Sequence, residues 1–174
     1  MKKKIVFCII LILLLITVLF FFNQKNKKIT RPINILVKTI NKNNIDYLPK
    51  AFHNYCSLAI LQNISHEDFN NYINSLKDHF GKNYHMSYTV INIEKLSNEI
   101  KKIYEENAYN LFNNFTNSKH ITFEALYKVT VKLKIKGNGY EESDEVDFKV
   151  VKIDGKYYFL HVANQMLNQF INLF

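Results

Sequence analysis

The sequence predicts an α+β domain, helices packed on an antiparallel sheet, carried behind an N-terminal transmembrane helix. Three observations lead there. Ile5 to Phe22 is an apolar run without charge, Gly or Pro; helix-period stripes fill Thr30 to Phe80; and two-residue alternation runs from Ile121 to Ile135 before a series of turn signals.

The apolar run follows Lys2, Lys3 and Lys4 and matches the hydrocarbon thickness of a bilayer. A cleavable signal peptide has a shorter apolar core and a small-x-small site, whereas this run ends in Phe20-Phe21-Phe22-Asn23. A lipoprotein acceptor at Cys8 is disfavoured by bulky Phe7 and the short segment before it, so Cys8 reads as filler of the span. Lys25, Lys27, Lys28 and Arg31 nearly balance the basic residues on the other side, so the positive-inside count does not orient the chain. A short leader that resembles a signal sequence favours a cytoplasmic N-terminus. The expected organisation is a cytoplasmic leader at 1–4, a transmembrane helix at 5–22, a basic juxtamembrane linker at 23–30, one domain at 31–162 and an amphipathic C-terminal helix at 163–174. The expected location is the cell membrane, single-pass, with the domain extracytoplasmic.

The formal charge of +8 is localised rather than general. Of 23 basic residues seven flank the span, and 23 minus 7 leaves 16 against 15 acidic residues. With no arginine after Arg31, the domain lacks the fork that reads phosphate and guanine, which argues against nucleic-acid binding. Anionic headgroups are the simpler counterpart of the flanking charge. Cys8 and Cys56 fall on opposite sides of the bilayer boundary, so no disulfide is expected and the core alone must stabilise the domain. No Pro- or Gly-rich linker divides the remainder, and one domain is expected. Abundant Asn, Lys and Ile suggests an AT-rich bacterial genome, in which the sequons at Asn63 and Asn114 are compositional accidents.

Thr30 is expected to cap the first helix, with Pro32 in its first turn and Ile33, Leu36, Val37 and Ile40 on its apolar side. A second helical stretch carries Ile45, Leu48, Phe52, Tyr55, Cys56 and Ala59. Ser65 and Asp68 resemble a capping box before the stripe Phe69, Tyr72, Ile73, Leu76 and Phe80, which Gly81 ends. Tyr84 to Ile93 reads as a strand with Met86, Tyr88, Val90 and Asn92 on one side and Ser87, Thr89, Ile91 and Ile93 on the other. Ser97 opens a further helix whose apolar face is Ile100, Ile103, Tyr104, Ala108, Leu111, Phe112 and Phe115, with Lys101, Lys102, Glu105 and Glu106 outward.

From Ile121 to Ile135 the odd positions are apolar or aromatic and most even positions are polar, so one face packs and the other meets water. Gly137-Asn138-Gly139 makes a turn, Glu145 to Ile153 the next strand, and Asp154-Gly155 a two-residue turn into Lys156 to Val162. Lys128, Lys132 and Lys134 are placed to face Glu141, Glu142, Asp144 or Asp147 as cross-strand pairs.

This order of elements, closing on Val150-Val151-Lys152-Ile153-Asp154-Gly155-Lys156-Tyr157-Tyr158-Phe159-Leu160, resembles the nuclear transport factor two-like, cystatin-like α+β cone, in particular small membrane-anchored exported domains of unknown function from Gram-positive bacteria. The resemblance spans roughly Arg31 to Val162, and it implies a cone of helices on a curved sheet. Enzymes of ketosteroid isomerase type within that group need a carboxylate or His base and an oxyanion donor inside the cone. Here the inward face carries no acid, and Tyr127 is its only polar-tipped side chain. His85, Tyr88, Tyr104 and Tyr127 are the candidates to line a cavity, with Tyr109 beside them, and core packing is the ordinary role of such aromatic residues.

No metal-ligand spacing joins the six histidines, and no Gly-rich phosphate loop or nucleophile elbow is present, so no catalytic residue, cofactor or metal is expected. At the C-terminal end Ala163, Met166, Leu167, Phe170, Ile171 and Phe174 form an apolar stripe opposite an uncharged Asn/Gln face. Such a helix either docks on its own domain or enters a partner groove, with Met166, Leu167, Phe170, Ile171 and Phe174 as the contact residues. The functional expectation is a membrane-anchored extracytoplasmic binding or assembly module, not an enzyme, contacting an envelope protein or a second copy and no nucleic acid. Anchored domains of this shape also resemble inner-membrane assembly components of type IV secretion and conjugation machines. The alternatives are a carrier or sensor of small apolar ligands and, behind it, an isomerase- or dehydratase-like enzyme.

Overall fold

The computed structural model describes residues 13–14, 16–17, 20, 23–53, 66–113 and 122–160, with 109–113 described by backbone alone. In chain order the elements are α1 (Arg31–Asn41), a 3-10 helix (Ile45–Ala51), α2 (His66–Phe80), β1 (His85–Lys95), α3 (Asn98–Asn113), β2 (Ala125–Gly137), β3 (Tyr140–Ile153) and β4 (Lys156–Phe159). The strands form one antiparallel sheet in the order β1-β2-β3-β4, so the fold is α+β as expected.

Residues 23–29 are already helical, so the segment expected to be a linker leads directly into α1. Thr30 is not a cap. Its hydroxyl donates back to the Asn26 carbonyl at 3.0 Å, its N–H bonds the same oxygen at 2.9 Å, and Asn34 N–H reaches the Thr30 carbonyl at 3.0 Å. Pro32, lacking an N–H, sits in the first turn of α1, and the chain carries its helical course past it with Ile29 and Thr30 buried.

At its other end α1 is tied to β1. The Asn41 amide donates to the Met86 carbonyl at 2.8 Å and accepts from the Met86 N–H at 2.7 Å, while Tyr84 Oη donates to the Ile40 carbonyl at 2.8 Å. Since α1 touches both edge strands, it crosses the sheet diagonally from β4 to the start of β1. The 3-10 helix returns beside it, opened by Asn44, whose side chain accepts from Asp46 N–H. Pro49 lies within this segment, and the expected helical stretch is a 3-10 helix over its described part; Tyr55, Cys56 and Ala59 lie outside the described residues.

The inner face of the sheet bears Met86, Val129, Val131, Leu133, Ile135, Phe148, Val150 and Phe159, each at most 3% exposed. Against it lie Ile33, Leu36, Val37 and Ile40 of α1 and Phe69, Ile73, Leu76 and Phe80 of α2. The expected odd-position face of β2 is therefore the packed one. Leu126 and Val151, of opposite parity and paired with each other, are also buried, so one end of the outer face is covered as well.

The strand β1 keeps the expected parity only to Val90. Its register with β2 slips between Val90 and Asn92, so Asn92 faces Thr130 and Ile93 faces Val129 on the inner side. The extra residue is Ile91, and the apolar positions change from even to odd there because a bulge inserts one residue. β2 starts at Ala125 rather than Ile121, β3 at Tyr140 rather than Glu145, and β4 ends at Phe159. Both hairpins turn through two residues of positive φ, Asn138 and Gly139 in one and Asp154 and Gly155 in the other, the geometry that matches strand twist.

The end of α2 interlocks with the β2–β3 hairpin. Gly81 has φ of +82° and lies under the Asn138 side chain, and a methyl group on Gly137 would stand 2.1 Å from the Phe80 carbonyl oxygen. Gly137→Ala should therefore cost about 1–3 kcal/mol in denaturant unfolding of the whole chain. Gly139→Asn is the contrast. Nothing lies within 4 Å of that position and Asn tolerates its φ of +81°, so the loss should stay within about 0.5 kcal/mol.

Candidate interaction surface

The four residues expected to line a cavity do not converge. His85 is exposed and pairs in register with Lys136 on the outer side. Tyr88, opposite Leu133, and Tyr127, opposite Val150, both face inward, the first half-buried and the second 6% exposed. They stand six residues apart along β2, roughly 20 Å. Tyr104 of α3 is on the outer side, its ring 5.4 Å from Lys149 Nζ. Burial pushes the Tyr127 phenol up, Tyr157 beside it at 6.0 Å adds to this, and nearby Lys25 opposes it. Such a shift accompanies the packing of Tyr127 in the core.

Most of the charged side chains nearby serve the fold. Lys128 meets Asp147 at 2.8 Å, and Thr130 donates to the same carboxylate at 2.6 Å; Lys134 meets Glu141 at 2.5 Å. These are the cross-strand pairs expected from the sequence. Glu124 accepts from Gly155 N–H at 2.6 Å and pairs with Lys152, tying the start of β2 to the β3–β4 turn. Bonding to Lys152 and to the Gly155 amide holds the Glu124 carboxyl below its ordinary range, and Lys128 with Thr130 does the same for Asp147.

The helix α3 is turned relative to its expected face. Lys101 Nζ donates to the Phe123 carbonyl at 2.7 Å and Glu105 accepts from the Phe123 N–H at 2.5 Å, with 3.7 Å between the two charged groups. Glu105 is consequently only 9% exposed, while Ile100 and Ile103 stand at 41% and 57%. Two backbone groups ahead of β2 need partners, and a Lys/Glu pair one turn apart supplies a donor and an acceptor at the required spacing. The i,i+4 spacing was visible in the sequence, but its target was not.

What remains is surface. The strand β1 is an edge of the sheet, and Asn41 occupies the outward N–H and C=O of Met86. Tyr88 and Val90, of the same parity before the bulge, direct theirs the same way, and no strand among the described residues pairs with that edge. Val90 and the bulged Ile91 are 37% and 50% exposed. At the far end of α2 an open depression of about 540 Å³ is lined by Asn71, Asn74, Ser75, Asp78 and His79. His79 is 3.1 Å from Glu142 and 5.7 Å from the ring of Tyr140, which is 61% exposed. This second surface is polar and shallow.

Among the described residues no group of three His, Cys, Asp or Glu side chains could hold a metal ion. The C-terminal contact residues Met166, Leu167, Phe170, Ile171 and Phe174 lie outside the described residues.

Depressed carboxyl groups contribute stability above their ordinary titration range and lose it as pH falls through their lowered values. Thermal stability should therefore hold at neutral pH and decline on acidification below about pH 4, with Glu124→Gln flattening part of that decline. Lys128 and Lys152, raised by their partners, act oppositely, so the alkaline loss begins only above the usual lysine range.

No protein family, curated protein or solved structure matches the chain.

Proposed function

We propose that the protein is a membrane-anchored extracytoplasmic module that mediates protein–protein contacts at the cell envelope, binding or assembling rather than catalysing. The observation that carries this reading is the edge of β1, where among the described residues no strand pairs with the outward backbone groups of Tyr88 and Val90, next to exposed Val90 and Ile91. An extended segment of a partner, or of a second copy, adds there by main-chain hydrogen bonds, with the apolar side chains giving the contact its burial.

Anchoring rests on the run from Ile5 to Phe22. No helix among the described residues is long and apolar enough to cross a membrane, and of that run the structure describes Leu13, Leu14, Ile16, Thr17 and Phe20. All five are helical, and the four apolar ones are 55–60% exposed, as side chains meant for lipid would be. The cystatin-like cone belongs to the same proposal, supported by a four-stranded antiparallel sheet with helices across one face.

A photo-cross-linker at Thr89, in the full chain in native membranes, should give discrete protein adducts that fall at least about tenfold with Ile91→Lys. Diffuse labelling that Ile91→Lys leaves unchanged, together with a monomer at high protein concentration, would remove the reading. For the anchor, the chain should stay in the membrane through carbonate extraction and its domain should be cleaved by protease added outside the cell.

A further inference from the structure

The domain has two ends, and the helix fixes which is which. Asn41 is held at Met86, in the row of Ile135, so α1 and the helical residues before it run back toward the row Lys95–Tyr127–Val150–Phe159. From Asn26 to Asn41 the helix rises roughly 22 Å along its own axis, against roughly 26 Å of strand from Ile135 to Tyr127, so its N-terminal end approaches the Tyr127 row. One contact agrees with this: Arg31 Nη1 lies 3.4 Å from the Lys50 carbonyl.

The end at which the helix enters therefore gathers the last turn of the 3-10 helix, the β3–β4 turn and the helix at 23–29. Its exposed charges include Lys25, Lys27, Lys28, Arg31, Lys50, Lys95 and Lys156 against Glu94, Glu99 and Asp154, since Glu124 is taken up by Lys152 and the Gly155 amide. The opposite end, around the β2–β3 turn, exposes Asp78, Glu141 and Asp144 beside Lys82 and Lys136, with Glu141 taken up by Lys134, so that end is close to balanced while the helix-entry end is basic.

We infer that the helix-entry end of the domain is a docking surface for an anionic lipid headgroup layer, so that Lys50, Lys156 and the β3–β4 turn rest on the bilayer that residues 5–22 enter. This rests on the anchor reading. A span joined to residue 23 brings these groups within about a Debye length of the headgroups, where each cation is attracted to a negative surface and salt weakens the attraction.

The test uses the full chain in lipid nanodiscs with a nitroxide-labelled headgroup, in phosphatidylcholine alone or mixed with phosphatidylglycerol. Amide signals of Gly155 and Lys156 should broaden at least about twofold more in the anionic discs, and high salt should reverse this, while Asn138 and Gly139 stay sharp. Lys50→Glu with Lys156→Glu should abolish the lipid dependence without loss from the disc fraction, and Lys156→Gln alone should reduce it. Equal broadening in both lipids, or broadening at Asn138 and Gly139, would overturn the inference while leaving the anchor intact. A chain that fails to enter discs at all would sink both.

Discussion

The hydrogen-bonded pair between the Asn41 amide and the Met86 backbone is the constraint from which the rest of the arrangement follows. A carboxamide presents one donor and one acceptor at the spacing of a strand's own groups, so Asn41 serves β1 as one residue of a neighbouring strand. This fixes α1 along and across the sheet at once. The register of β1 with β2, and of β2 with β3, then carries that fix to every other strand. Replacing the amide with an apolar group would deprive the Met86 donor and acceptor of these partners, and the helix would lose its stop.

Polar groups are used economically around this frame. Glu105, Lys101 and Glu124 satisfy backbone groups at the entrance to β2 and at the β3–β4 turn, where the chain is about to become regular. Lys128, Asp147, Lys134 and Glu141 hold the outer face of two long strands against each other. Such exposed pairs are individually weak, so their role is to set register and not to supply the bulk of stability. The stability comes from the inner face, where aliphatic and aromatic side chains of three helical segments and four strands meet.

Much of this was legible in the residues. The odd positions of β2 and the two Gly-containing turns were readable because period two and positive φ leave strong marks on composition. The bulge at Ile91 left a mark too, two adjacent apolar residues where alternation reverses, but its meaning depends on which face β2 presents. For α3 the apolar period pointed to Ile100 and Ile103, and the structure turns instead on the needs of Phe123, a residue far along the chain. Long-range backbone demand is invisible to a local pattern. Thr30 misled for a related reason: a residue that caps when a helix starts bonds backward when helical turns precede it. The cavity candidates failed to meet because His85 and Tyr104 fall on the other face of the sheet from Tyr88 and Tyr127, and face is a matter of register. The edge of β1 was not legible at all, since which strand is left unpaired is a property of the whole sheet.

The helical course from residue 23 through Asn41 has a mechanical meaning. With Ile29 buried and Asn41 bonded to Met86, no slack chain separates residue 23 from the hydrophobic core. A pull on the N-terminal side is borne in shear by the packing of α1 on the sheet, and a load applied to the β1 edge is transmitted back along the same helix. The domain is a stiff post. It passes torque as well as tension, so that turning or tilting the helix turns the sheet with it.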